Sequence, residues 1–287
     1  MINRNAARLL LLALAAIFAC EAEAQSFIGF DRNGYPGDML LPALRKDFRY
    51  TSYWLNNPPG ATANSWGGKR ALLKQNGFGF LVLFNGRLDA QLSGQDAVAL
   101  GAADGKAAVA AALREGFAQN VLIFLDQEEG GRLLAEQASY IFAWIDAVRA
   151  AGARAGVYCS GIEVRDGDDT ISTALDIARR EIARIKSGAQ AKPSDRLALW
   201  VANDACPPAP GCAMTSPPMS KAGPAELREF TTVWQYALSP RRMEFSAACP
   251  RNAAPDGNCY AQGLPRNAST FVDLDVAASA DPSGGSR

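Results

Sequence analysis

Asp126 and Glu128 stand two residues apart at the end of the apolar run Val121-Leu122-Ile123-Phe124-Leu125, and Glu129-Gly130-Gly131 follows them. Side chains on a strand alternate between faces, so this spacing points both carboxyl groups the same way while Gln127 points the other. On a buried strand the pair meets at the C-terminal rim. Crowding and partial desolvation then push the two pKa values apart, leaving one group an acid and the other a base. Glycoside cleavage uses that division of roles. The competing reading is a solvated turn in which Glu128 and Glu129 favour the N-terminus of the next helix.

Other chemistries are closed by composition. The 287-residue chain contains no histidine. That removes Ser-His-Asp and Cys-His catalysis and every histidine-ligated zinc site. Catalysis must then rest on carboxylates, tyrosines, amides or lysine, and no metal or cofactor is expected. Basic and acidic residues balance at 29 each, without a lysine- or arginine-rich run. This argues against nucleic acid or an anionic membrane as the main partner.

The N-terminus reads as an export signal. Arg4 and Arg8 supply a basic start, Leu9 to Cys20 a short apolar core, and Ala22-Glu23-Ala24 small residues at the cleavage positions. The apolar run is too short to span a bilayer, so no transmembrane segment is expected in the mature chain. A signal peptide over 1–24 places the protein outside the cell or in a bacterial periplasm. The alternative is a lipoprotein anchored through Cys20, since Ile17-Phe18-Ala19-Cys20 loosely resembles a lipobox. The remaining 263 residues suit one large domain over 25–276, acting as a monomer. The Ser/Gly/Asp/Pro-rich tail, 277–287, has the composition of disorder.

The cysteines fit an oxidising compartment. Cys206 and Cys212 bracket one Pro-rich loop, and Cys249 and Cys259 another. Two short loop-closing disulfides are expected, each contributing about 2–3 kcal/mol. Spacing alone leaves cross-pairing between the loops open, and a four-cysteine zinc site is a weaker option. Cys159 reads as a buried free thiol.

Strand patterns recur at Phe27–Asp31, Phe48–Trp54, Gly79–Phe84, Val121–Asp126, Arg154–Cys159, Arg196–Val201, Thr231–Tyr236 and Thr270–Asp275. Helical patterns fill the gaps at Ser65–Gln75, Lys106–Phe117, Leu133–Ala151 and Thr170–Lys186. Alternating strands and helices imply a parallel sheet, and eight strands in one domain predict a closed (β/α)₈ TIM-type barrel. In the last third, proline- and cysteine-rich segments replace the helices, so those crossovers should be irregular or missing.

The C-terminal ends of barrel strands converge on one mouth. Those ends carry Asp31, Trp54, Asn85, Asp126 with Glu128, Tyr158, Asn203 with Asp204, Gln235 with Tyr236, and Asp273 with Asp275. A lone strand-terminal Asp often only caps a helix. Several acids together with aromatics fit a sugar better, because aromatic faces stack on sugar rings while carboxylates and amides bind hydroxyls. Trp54, Asn85, Tyr158, Asn203, Gln235 and Asp275 are the candidate substrate-binding residues. Trp234 should face away from Gln235 and read as core.

The motifs Gly29-Phe30-Asp31, Leu125-Asp126-Gln127-Glu128 and Gly156-Val157-Tyr158-Cys159-Ser160 resemble, in order and spacing, glycoside hydrolase family 25, the lysozyme-type muramidases. So do Leu199-Trp200-Val201-Ala202, Val233-Trp234-Gln235-Tyr236 and Val272-Asp273-Leu274-Asp275. Gly29-Phe30-Asp31 and the Asn85-Gly86 strand end are closer still to a bacterial glycoside-hydrolase-like domain family, formerly a domain of unknown function. The resemblance spans Ser26 to Val276. It implies a barrel that acts on a cell-envelope polysaccharide such as peptidoglycan. The muramidases' first-strand aspartate falls on Asp31, their Asp-x-Glu pair on Asp126 and Glu128, and their late acidic residue on Asp273. Glu128 is then the general acid, with Asp126 and Asp273 ionised and either orienting substrate or stabilising positive charge. The chain departs from the muramidase pattern at Arg32–Gly37, at Asp275 in place of an Asn, and at the Cys206–Cys212 insertion. A non-catalytic carbohydrate-binding barrel, or an envelope interaction protein, is the alternative function.

Overall fold

The computed structural model describes residues 25–188, 196–204, 219, 222–238, 243–261 and 270–287. The signal-peptide reading of 1–24, Cys20 included, and the Cys206–Cys212 pairing lie outside these residues.

Ten strands run β1 Phe27–Asp31, β2 Tyr50–Trp54, β3 Gly79–Asn85, β4 Leu122–Gln127, β5 Arg154–Ser160, β6 Val164–Asp166, β7 Asp169–Ile171, β8 Ala198–Ala202, β9 Thr231–Ala237 and β10 Asp273–Ala277. Eight of them close into a barrel in the order β1-β10-β9-β8-β5-β4-β3-β2, and β6 pairs with β7 as a separate hairpin. The helices are α1 Leu41–Asp47, α2 Arg70–Gln75, α3 Asp89–Leu92, α4 Ala97–Arg114, α5 Ala135–Ala150 and α6 Thr173–Lys186. Beyond Lys186 the described residues contain only 3₁₀ turns, at Ala225–Leu227 and Met243–Ala248. The expected thinning of helices in the last third is therefore found.

One strand departs from the expected all-parallel sheet. β10 pairs antiparallel with both β1 and β9, while the remaining neighbours are parallel. The reversal places the start of β10, not its end, at the barrel mouth.

The strands are almost wholly buried, as apolar runs covered on both faces must be. The interior is filled by pairing large rings with absent side chains. A Cβ on Gly29 would lie 2.0 Å from the Tyr50 ring, so only glycine on β1 admits that tyrosine from β2. Outside the barrel, Phe30 packs edge-on against Phe48 and Phe78. Trp234 is fully buried, with its indole N–H donated to the Asn203 carbonyl at 2.7 Å. It is a core residue, as its register predicted.

The Cys249–Cys259 disulfide forms and Cys159 is a buried free thiol, as expected. The bridged loop lies against the barrel wall, where the Tyr260 ring meets Phe48 at 5.5 Å and its hydroxyl donates to the Thr270 carbonyl.

The tail is not disordered. Residues 281–287 enter the gap below the point where β3 and β4 begin to pair at Val82 and Ile123. Asp281 Oδ1 accepts from Phe80 N at 2.9 Å, Ser283 Oγ accepts from Val82 N at 3.0 Å, and the Ser283 carbonyl accepts from Leu122 N at 2.9 Å. Arg70 donates to the Gly285 carbonyl from the other side. The short polar side chains that mimic a disordered composition are here the partners of otherwise unpaired strand amides. Removing 281–287 orphans three amides on buried residues. It is expected to lower unfolding free energy by about 3 kcal/mol or more, measured by urea denaturation. A dispensable tail would leave the midpoint unchanged.

Candidate active site

Asp31 ends β1 and Asp273 begins β10, and the two are register partners across the antiparallel pair. Gln235, on β9, donates from Nε2 to both oxygens of Asp31 at 3.0 and 2.8 Å. The amide is oriented by Tyr158 on β5, whose hydroxyl donates to Gln235 Oε1 at 2.9 Å. The Tyr158 ring meets Trp200 edge-on at 4.8 Å, and Trp200 Nε1 donates to Asp275 Oδ1 at 2.9 Å. A connected set of side chains from five strands thus crosses the barrel beneath the mouth.

Asp126 and Glu128 follow β4 into the same space. Asp126 is only 4% exposed, and neither of its carboxyl oxygens has a protein hydrogen-bond partner. Glu128, beyond the strand end, is exposed at the rim and forms no hydrogen bond within the described residues. A cleft of about 340 Å³ is bounded by Asp31, Asp126, Glu128 and Asp273, with Trp54, Tyr158 and Gln235 among the walls. A second hollow of about 310 Å³ lies beyond Glu128 and Tyr158, which border both, and reaches Ser160, Ile162 and Asp204.

Burial dominates the electrostatics. Desolvation raises Asp31 well above the usual carboxylate range; Asp273, Asp126 and Glu128 add to the rise, and the Gln235 hydrogen bond opposes it. Asp126 is raised well above its ordinary value by desolvation first and then by Glu128. Glu128 is raised by desolvation, in the direction a general acid requires. For Asp126 this direction runs against the expectation that it is ionised, because burial without a partner disfavours the charged form. Tyr158 is likewise pushed up by burial and by the surrounding acids, so it is a donor only.

Seven of the ten sequence-derived site residues meet in this cleft. Asn85, Asn203 and Asp275 do not. Asn85 is tied to the neighbouring loop, exchanging hydrogen bonds with Asn56 and donating to the Asn57 carbonyl at 2.9 Å. Asn203 is held through its backbone by Gln235 and Trp234. Asp275 is fully buried two residues inward from Asp273, a consequence of the reversed strand, and is raised well above the carboxylate range by burial and by Asp31 and Asp273. Trp54 borders the cleft yet is only 5% exposed, with its indole N–H given to the Arg32 carbonyl at 3.0 Å. As a wedged ring it contributes about 3–5 kcal/mol to stability, rather than serving as a free platform.

Sequence reasoning missed Arg32, Trp200 and Phe271, which also line the cleft. Arg32 follows Asp31 directly. Burial lowers its pKa from the usual arginine value, while Tyr260 and Asp273 act in the other direction. Trp200 occupies an interior position two residues from Ala202 on β8, which alternation along Leu199–Ala202 makes legible.

A carboxyl whose pKa is raised by folding contributes stability below its unfolded value that is lost as pH rises through the folded value. Asp275→Asn keeps an acceptor for Trp200 and removes that ionisation. Relative to wild type, the variant is expected to gain stability progressively as pH rises from about 4 toward neutrality. Urea midpoints at several pH values measure the difference. A constant offset across that range would contradict the assigned direction.

Solved structures share this architecture. An uncharacterized B. stearothermophilus protein is 20% identical over 88% of this chain and 95% of its own, with a TM-score of 0.53. The Mycobacterium tuberculosis Tat-secreted protein Rv2525c, in complex with HEPES, is 10% identical over 87% and 94%, at 0.48. A family 25 glycosyl hydrolase from Bacillus anthracis is 12% identical over 88% and 89%, at 0.45. No curated protein matches the chain. Residues 58–206, which carry β3, β4, β5, β8 and the Asp126–Glu128 pair, match the Rv2525c-like, glycoside hydrolase-like domain, and the chain belongs to that family.

Proposed function

We propose that the protein is exported and hydrolyses a glycosidic bond in a cell-envelope glycan such as peptidoglycan, with Glu128 as the general acid. The reading is carried by one observation: four carboxyl groups from three strands border a single cleft, and the most exposed of them stands at its rim with a raised pKa. Membership of a glycoside hydrolase-like family and the resemblance of the strand-end motifs to the family 25 muramidases support this substrate class. The Cys249–Cys259 bridge supports an oxidising compartment. No helix among the described residues is long and apolar enough to cross a membrane.

In this mechanism Glu128 gives its proton to the leaving glycosidic oxygen as the C–O bond breaks. Positive charge then develops on the sugar, and Asp273 offsets it together with Asp31, whose charged form the Gln235 hydrogen bonds favour against its burial. Asp126 binds a substrate hydroxyl or acetamido group through oxygens that have no protein partner. Water adds to the sugar and its proton returns to Glu128. The hollows on either side of Glu128 leave room for both fragments of the cleaved chain.

The binding-module alternative draws less support from the site. A surface that recognises sugars by stacking presents open aromatic faces. Here Trp54 and Trp200 are buried and their N–H groups are already donated.

Turbidity loss and reducing-end release from purified peptidoglycan, against chitin and neutral glucans, test the activity. Glu128→Gln preserves shape and is expected to cut turnover by roughly 10²-fold or more while leaving glycan affinity near wild type. Wild-type activity should persist above the usual carboxylate range and fall as pH passes the raised Glu128 value. If the wild type binds a glycan without cleaving any, and Glu128→Gln binds equally well, the protein is a binding module.

A further inference from the structure

Glu128 has no hydrogen-bond partner within the described residues, so its place over the cleft depends on the backbone that carries it. That backbone leaves β4 at Gln127 and reaches α5 only at Ala135, through a segment with two adjacent glycines. A glycine-containing loop of this kind wanders unless something fixes it. The fixing contacts converge on the next residue. Glu129 Oε2 accepts from the backbone N–H of Asp89, the first residue of α3, at 2.8 Å, and from Gln137 Nε2 on α5 at 2.6 Å. Gln137 in turn accepts from Leu134 N through Oε1 at 2.8 Å, closing the loop on itself. On the far side Thr173 Oγ1 donates to the carbonyls of Glu129 and Gly131 at 3.4 and 2.9 Å, and Asp176 Oδ2 accepts from Leu133 N at 3.0 Å.

The side chain of Glu129 is the member of this set that links the loop both to α3, which precedes it in the chain, and to α5, which follows it. It ties the loop to the segment after β3 through Asp89 and to α5 through Gln137. We infer that Glu129 is the positioning residue for Glu128: its carboxylate, held by two donors from α3 and α5, fixes the adjacent backbone so that Glu128 reaches the cleft. The catalytic consequence rests on the reading of Glu128 as the acid, whereas the anchoring itself does not. Glu129 is directed away from the cleft and touches neither Asp31, Asp126 nor Asp273 among its hydrogen bonds, so its effect on the reaction is indirect.

Both parts are tested on the full mature chain. In Glu129→Ala, kcat on the glycan cleaved by wild type is expected to fall on the order of 10²-fold, with KM within about twofold, because a misplaced acid loses transition-state stabilisation but not binding. Glu129→Gln retains an acceptor oxygen and should restore most of kcat. Amide hydrogen exchange supplies a readout independent of activity. Residues 128–134 should exchange faster in Glu129→Ala, while the strands of the barrel keep their wild-type protection. Gln137→Ala removes one donor to the same oxygen. It serves where Glu129→Ala does not fold, and should move both readouts in the same direction by a smaller factor. Unchanged exchange at 128–134 overturns the anchor. A kcat within twofold of wild type in an active enzyme, with faster exchange at 128–134, keeps the anchor and overturns its catalytic consequence. A wild type that cleaves no glycan would count against the functional reading alone, and the exchange measurement would still decide the role of Glu129.

Discussion

Closure of the barrel by a strand running against the other seven is the constraint from which the site follows. An all-parallel barrel would bring the end of β10 to the mouth and would direct its last carboxylate there. Reversal brings the start instead, so that Asp273 opposes Asp31 in register while Asp275 is carried one interior position deeper. Carboxyl groups are thereby gathered along one seam of the barrel, opposite the Asp126–Glu128 end of β4. The Tyr158–Gln235 pair spans the space between the seam and the β5 wall and fixes the orientation of Asp31. The same reversal sends the chain downward after Ala277, and the tail can reach the lower ends of β3 and β4 only because β10 delivers it there.

Most of the barrel was legible because its strands obey a simple rule: apolar runs buried on both faces, each stopped by a polar residue. β1 matches the predicted bounds, and the other barrel strands start or end within three residues of them. What failed did so for particular physical reasons. α4 begins at Ala97 rather than Lys106, since Gly101 and Gly105 weaken the helical signal. Those glycines are required by tertiary packing: a Cβ on Gly101 would lie 2.3 Å from the Tyr140 carbonyl on α5. The β6–β7 hairpin carries too few residues to show alternation. The direction of β10 has no local signature at all, because a strand pattern reads the same in either sense.

The site was legible to the same degree and for the same reason. Residues at strand ends with interior parity, Asp31, Trp54, Asp126, Tyr158 and Gln235, were found by alternation alone. Asn85 and Asn203 stand apart from the cleft, since a strand-terminal amide serves the backbone of adjacent loops as readily as it serves a ligand. Arg32 and Phe271 lie outside strands, where no periodicity points to them. The raised pKa of Asp126 depends on what fails to reach it, and absence of a partner is a property of three-dimensional packing that no motif encodes.

The buried acids also explain why the rest of the molecule is built so tightly. Asp31, Asp126 and Asp275 all have raised pKa values with burial as the first cause, so each opposes folding when it ionises. Gln235 and Trp200 each give one of them a donor, while Asp126 has none. A protein evolving toward stability alone would replace such a group with an apolar or amide residue of similar size. Under the proposed function, a ligand in the open cleft supplies the missing hydrogen bonds. Stability must then come from elsewhere: from the rings packed around β1 and β2, from the disulfide-bridged loop, and from a tail that satisfies the strand amides beneath the barrel.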